Sequence, residues 1–219
     1  MKQIAIYGGG GFAREAAWLV QSCNVQPEPV YEVVCFIDDD TTKHGSRLNG
    51  IPVFDLAGAR ERFPEAYVIG GIGSPRAREQ TMTKAAEAGF RFATVIHPNA
   101  AYSAEWNTFG EGTVICAGNI ITVNITIGRH VQINLDCTIG HDVIMGDYTT
   151  LAPGVHVSGW VHMGKRVYIG TGANLINGTE DAPLVIADDV VIGAGACVTK
   201  SILEPNVTAV GVPAKVLSR

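Results

Sequence analysis

His141 and Asp142 stand side by side in the second half of the chain, and no other pair in the sequence has more chemical reach. An imidazole titrates near neutral pH, and a carboxylate beside it can hold the ring in one tautomer. The pair therefore suits a general base that takes a proton from an amine or hydroxyl during acyl transfer. Near the N-terminus, Gly8-Gly9-Gly10-Gly11-Phe12-Ala13 fits G-x-G-x-x-A. Backbone N–H groups at such a turn hold phosphate, and the missing side chains let it approach. Asp38 and Asp39 end the next apolar run, where a carboxylate can bond a ribose hydroxyl. In Gly71-Ile72-Gly73-Ser74-Pro75-Arg76, Ser74 beside Gly73 can hydrogen-bond a nucleotide or diphosphate, and Arg76 can pair with phosphate.

Two kinds of element must position these residues. Residues 4–7 read as a strand that runs into the glycines, and residues 12–22 carry apolar positions at helical spacing. A Pro-containing turn, a strand over 33–37, a short strand ending at Phe54 and a helix over 56–63 follow. A strand over 67–73, a helix from Pro75 closed by Gly89 and a strand over 92–96 complete the pattern. Strands alternating with helices imply a parallel sheet with crossover helices, which brings both Gly-rich exits to one edge. His97-Pro98 marks a boundary, giving domains over 1–96 and 97–219. The first is an α/β, Rossmann-like half domain. It is too short for a whole dinucleotide fold, and one mononucleotide end, as in a nucleotide sugar, fits it better.

After the boundary the period changes. Every sixth residue from Phe109 to Leu175 is large and apolar, through Ile115, Ile121, Ile127, Ile133, Ile139, Met145, Leu151, Val157, Met163 and Ile169. A period of six fits neither helix nor simple strand; it predicts a triangular solenoid with about eighteen residues per coil. The residue after each of these anchors is usually small, which suits a corner that is crowded or needs positive φ. The residue four after an anchor, as at Val131, Val143, Val155 and Val167, should fill the interior, and Cys137 and Cys197 are assigned there too. The phase slips over 177–183, a polar loop expected to be extruded, and resumes at Ile186. His141 falls two after an anchor, outside the interior column and free to react.

The chain of 219 residues is 47% hydrophobic and 17% charged, which suits extensive burial and subunit interfaces. A net charge of −5 without a block of Lys or Arg argues against nucleic acid or an acidic membrane surface as a partner. Five scattered cysteines without a CxxC suggest reduced thiols in a cytoplasmic protein. Neither a membrane span nor a signal peptide is expected.

The hexad pattern, the Gly8–Ala13 loop, Asp38-Asp39, Ile96-His97-Pro98, Asn134…Gly140-His141-Asp142 and Gly211-Val212-Pro213-Ala214-Lys215 together resemble a bacterial sugar acyltransferase family. Its members have a left-handed parallel β-helix. They include N-acetyltransferases of nucleotide-linked 4-amino-4,6-dideoxy sugars (the bacillosamine and perosamine pathway type) and sialic acid O-acetyltransferases. The resemblance implies acetyl-CoA as co-substrate and a UDP- or dTDP-linked amino sugar as acceptor, in glycan biosynthesis. It also implies a homotrimer with CoA between neighbouring solenoids. His141 would be the base and Asp142 its orienting partner, and CoA would pass Ile169, Gly170 and Gly172 toward Gly211 and Lys215. A second His common in the family is missing at Thr150, and a His that often follows the glycines is replaced by Phe12. A metal-dependent hydratase or a non-catalytic nucleotide-sugar-binding trimer are the alternatives from other classes. Zinc hydratases of this β-helix class bring three histidines together. The spacing of His130, His156 and His162 does not match theirs, so no metal site is expected. His130 and His162 read as surface packing, and His156 is not assigned to the site, although its position could border the CoA groove.

Overall fold

The structure, a computed structural model, describes residues 1–24 and 29–217. The Pro-containing turn expected before the second strand falls partly on residues 25–28, outside the described residues. The chain divides into two compact units, Met1–His97 and Pro98–Arg219.

The first unit is a six-stranded sheet. Its strands are β1 (Lys2–Tyr7), β2 (Tyr31–Ile37), β3 (Arg47–Leu48), β4 (Ile51–Phe54), β5 (Tyr67–Gly70) and β6 (Arg91–Phe92), in the order β3-β4-β2-β1-β5-β6. All neighbours are parallel except the β3–β4 hairpin. Ile4, Ala5 and Ile6 of β1 and Cys35, Phe36 and Ile37 of β2 are fully buried, as central parallel strands require. Helix α1 (Gly11–Ser22) lays Ala13, Ala16, Ala17, Leu19 and Val20 on the sheet. Helices α2 (Leu56–Arg62) and α3 (Pro75–Glu87) follow β4 and β5. Asp55 caps α2 by accepting from Gly58 N.

Two strands are shorter than the sequence suggests. The run expected over 67–73 stops at Gly70, and a Cβ on Gly71 just beyond it would lie 2.7 Å from Ile6 Cγ2 and 2.8 Å from Ala13 Cβ. Glycine at 71 thus leaves room for Ala13 of α1 to pack closely there. The strand expected over 92–96 pairs with β5 only through Arg91 and Phe92, and Ala93 and Thr94 are not in a strand.

The second unit is the expected triangular parallel β-helix. Two-residue strands such as Ile120–Ile121, Thr138–Ile139 and His156–Val157 stack in parallel register to form one face. Thr126–Ile127 and Ile144–Met145 belong to a second face, and Gln132–Ile133 and Thr150–Leu151 to the third. The anchors from Ile115 to Leu175 are buried, as are Val131, Val143, Val155, Val161, Val167 and Ala173. Phe109, at the first coil, is half-buried and packs edge-on to Tyr102. Cys137 is interior as expected, but Cys197 is not. It immediately precedes the anchor Val198, so strand alternation turns it outward, half-exposed. The phase slip is the expected loop, closed by mutual backbone bonds between Thr179 and Ala182.

Corner geometry separates two demands that the sequence blurs. Positive φ falls three residues after each anchor from Phe109 to Ile169, at Gly112, Gly118, Asn124, His130, Asp136, Asp142, Tyr148, Gly154, Trp160, Arg166 and Gly172. The glycines directly after the anchors have ordinary φ and serve close approach. A Cβ on Gly140 would sit 2.6 Å from Gly159 N, and one on Gly146 2.5 Å from Gly164 C.

Candidate active site

In the first unit the glycine loop, the ends of β1 and β2 and the loop after β5 enclose a cleft of about 330 Å³. Its walls include Tyr7, Gly8, Gly9, Gly10, Gly11, Phe12, Asp38, Asp39, Gly73 and Thr81. Gly8 has φ 125° and lies so close to Gly71 O that a Cβ would come within 2.9 Å. A Cβ on Gly9 would meet Asp38 Oδ2 at 2.5 Å. Gly10 is the N-cap of α1 and brings no side chain to its first-turn N–H groups, the arrangement that receives an anion.

Asp38 and Asp39 line this cleft with their carboxylates already engaged. Asp38 accepts from Asp40 N at 2.9 Å and from Lys43 Nζ at 2.9 Å. Asp39 accepts from Tyr7 Oη at 2.6 Å and Lys84 Nζ at 2.6 Å. Burial alone would raise the Asp39 pKa, but the bonds from Lys84 and Tyr7 and the Lys84 charge hold it below the ordinary carboxylate value. Burial foremost, then the Asp39 carboxylate, drives the Tyr7 phenol well above its usual range.

Not every expected residue reaches the cleft. Ala13 is fully buried against Gly71, packing helix to strand. Ser74 is the N-cap of α3 without a side-chain bond, and neither it nor Arg76 lines the cleft. The cation that shapes this loop is one the sequence reading missed. Arg78, 1% exposed, donates to Ile72 O at 2.9 Å and Gly73 O at 3.3 Å. Nothing in the local pattern sets it apart from Arg76.

In the second unit His141 lies at the corner after the Thr138–Ile139 strand rather than on a flat side. Its Nδ1 is 2.8 Å from Asp142 Oδ2, and Asn124 Nδ2 donates to Asp142 Oδ1 at 3.2 Å. The imidazole is 56% exposed. In the tautomer that donates Nδ1–H to the carboxylate, Nε2 is the ring nitrogen that keeps a lone pair. Trp160 stands edge-on to the ring, with centroids 6.5 Å apart.

Other solenoid residues fall less neatly. Ile169 is fully buried, an interior anchor whose side chain cannot touch a ligand. Gly170 is likewise enclosed, and a Cβ there would meet Ala194 N at 2.5 Å. Gly172 and Gly211 have positive φ at open corners, and Lys215 is exposed in an antiparallel pair with Val210. His130 is buried rather than on the surface, stacked on Tyr148 with centroids 5.1 Å apart. Gly112 leaves it that space. His156 is exposed and bonds Thr138 Oγ1 at 2.8 Å, and Thr150 is buried. Among the described residues, no three His, Cys, Asp or Glu converge as metal ligands, and no helix is long and apolar enough to cross a membrane.

A parallel β-helix of hexapeptide coils with a corner His–Asp pair, in one chain with a glycine-loop α/β domain, defines a hexapeptide-repeat acyltransferase. Comparisons with known proteins narrow the class. Residues 3–85 match the family described as the PglD N-terminal domain. The GDP-perosamine N-acetyltransferase of Escherichia coli is 29% identical over 187 residues, 85% of this chain and 83% of that protein. The structure of PerB from Caulobacter crescentus, in complex with CoA and GDP-perosamine, superposes with a TM-score of 0.85. It is 30% identical, and the match covers 100% of this chain and 98% of that one. The acetyltransferase domain of PglB from Neisseria gonorrhoeae, in complex with acetyl coenzyme A, gives 0.85 at 30% identity, covering 99% of both chains. The chain belongs to the left-handed β-helix sugar N-acetyltransferase family.

Proposed function

We propose that this protein transfers an acetyl group from acetyl-CoA to the 4-amino group of a nucleotide-linked 4-amino-4,6-dideoxy sugar. The observation that carries the reading is the His141–Asp142 pair at 2.8 Å, on an imidazole that is 56% exposed. The glycine-loop cleft takes the nucleotide diphosphate, with the first-turn N–H groups of α1 on phosphate. The free amine attacks the thioester carbonyl, and His141 Nε2 accepts the proton it sheds. The tetrahedral intermediate then collapses to the amide, and the departing CoA sulfur takes the proton back from the imidazolium. Asp142 orients the ring and balances its charge. Positioning amine and thioester together supplies much of the remaining rate enhancement.

The relatives named for GDP-perosamine add GDP to the UDP and dTDP sugars expected from the sequence. CoA runs along the solenoid past the Gly172 corner toward Gly211 and Lys215, in the groove between neighbouring copies of a trimer. A thiol-release assay with acetyl-CoA against GDP-, UDP- and dTDP-4-amino-4,6-dideoxy sugars and sialic acid tests the reading. Turnover with an amino sugar that disappears in His141→Ala, with nucleotide-sugar affinity retained, is the expected result. Full turnover in His141→Ala sinks the mechanism, and turnover with sialic acid alone replaces N- by O-acetylation.

A further inference from the structure

The parallel register stacks each corner residue on the one a full coil later. Thr138 pairs with His156 and Ile139 with Val157, so Gly159 stands over His141 and Trp160 over Asp142, with Trp160 N bonded to His141 O at 3.0 Å. Gly159 is buried and does not have positive φ, so its backbone is open to any residue. The space is not. A Cβ there would lie 2.6 Å from His141 Cε1 and Nε2 and 3.0 Å from Nδ1, and these are its three nearest atoms. At Gly140, Gly146 and Gly170 the obstruction is backbone of the next coil, so glycine there serves the solenoid. At Gly159 the obstruction is the imidazole itself.

Trp160 adds a second observation. It holds φ 57°, a conformation that crowds bulky side chains. One and two coils earlier the same column uses Asp142 and Asn124, types that tolerate it. The indole meets the imidazole at an interplanar angle of 83°, walling the ring on the side away from Asn124.

We propose that Gly159 and Trp160 are positioning residues that seat the His141 ring on Asp142. This rests on the reading of His141 as the base. A methyl group at position 159 displaces no backbone. It turns the exposed imidazole outward, breaks the Nδ1 bond to Asp142 and moves Nε2 away from the attacking amine. The fold is untouched, so the loss falls on the chemical step alone.

Gly159→Ala, Trp160→Ala and Trp160→Phe, and Gly159→Ala in a His141→Ala background, test this in the full-length enzyme. The readouts are kcat, both KM values and the melting temperature. Gly159→Ala should lower kcat by about 10²-fold, the scale of a displacement near 1 Å. Both KM values and the melting temperature should stay near those of the parent. Trp160→Ala should lower kcat less, and Trp160→Phe should restore most of that loss. In the His141→Ala background Gly159→Ala should change the residual rate no further. Parental kcat in Gly159→Ala overturns the proposal. So does a rate that falls only in step with a lowered melting temperature, or an equal loss in the His141→Ala background. Full turnover in His141→Ala alone refutes the base assignment instead, a result distinct from all of these.

Discussion

Asp39 accepts a hydrogen bond from a buried phenol and another from an ammonium, so its first duty is to the protein and not to a ribose. Each carboxylate oxygen has a second lone pair, and Asp39 still lines the cleft, but its ionisation is now tied to folding. Its folded pKa lies below the ordinary carboxylate value of 3.8. The unfolded chain therefore binds more protons than the folded one just below that value. The stabilisation is complete above 3.8 and is lost as pH falls through the lower folded value. Asp39→Asn should flatten the acid limb of melting temperature against pH below about 4; an acid limb as steep as that of the parent would refute the linkage. Thiols at the same scale divide by burial. Burial pushes Cys35 up to about 12. It pushes Cys137 to about 11 against two opposing backbone hydrogen bonds. Both stay protonated at neutral pH and unreactive, whereas Cys197 is half-exposed. Peptide mass mapping after brief alkylation of native protein should find Cys197 labelled well before Cys35 or Cys137.

At the scale of the element, much of the solenoid was legible because its core is one-dimensional. Anchors such as Ile133 and fillers such as Val143 recur in a phase that only a coil of fixed length produces. The corners were only half legible, because two physical demands both select small residues. Gly146 has ordinary φ and no room, while Gly154 has φ 68° and open space around a would-be Cβ. The two should respond differently to substitution. Gly154→Asn should be nearly neutral and Gly154→Ala should cost about 1 kcal/mol, the left-handed penalty. Gly146→Ala and Gly146→Asn should both cost about 1–3 kcal/mol through overpacking. Urea denaturation of the four variants gives the comparison, and equal costs for the two Asn variants would show that the demands are not separable. The candidate site was readable where neighbours in sequence are neighbours in space, as in Gly8–Gly11 or His141–Asp142. It was unreadable where contact comes from stacking or from a helix folding back. Arg78 reaches the Gly71–Gly73 loop only because α3 returns it there, and Gly159 touches His141 only once the coil length is known.

At the scale of the whole molecule, the solenoid leaves apolar side chains on more than one face. Ile120 is 51% exposed on the face that carries Thr138, and Ile144 is 43% exposed on the next. A cyclic trimer is heterologous, so each subunit must offer two different patches that fit one another. Two faces with outward isoleucines satisfy that requirement, whereas a two-fold dimer would need one self-complementary patch. For the proposed trimer, sedimentation equilibrium should give three times the 23.2 kDa chain mass. Ile144→Glu puts a charge where the proposed interface is desolvated, and it should shift the protein toward monomer. Because CoA is proposed to lie between copies, the monomeric variant should lose turnover and CoA affinity together. Its glycine-loop cleft, built wholly from residues of the first unit, should go on binding nucleotide sugar. Calorimetric titration with each ligand separates the two effects. A monomer that still binds CoA and turns over would place the whole reaction on one chain and remove the need for the trimer.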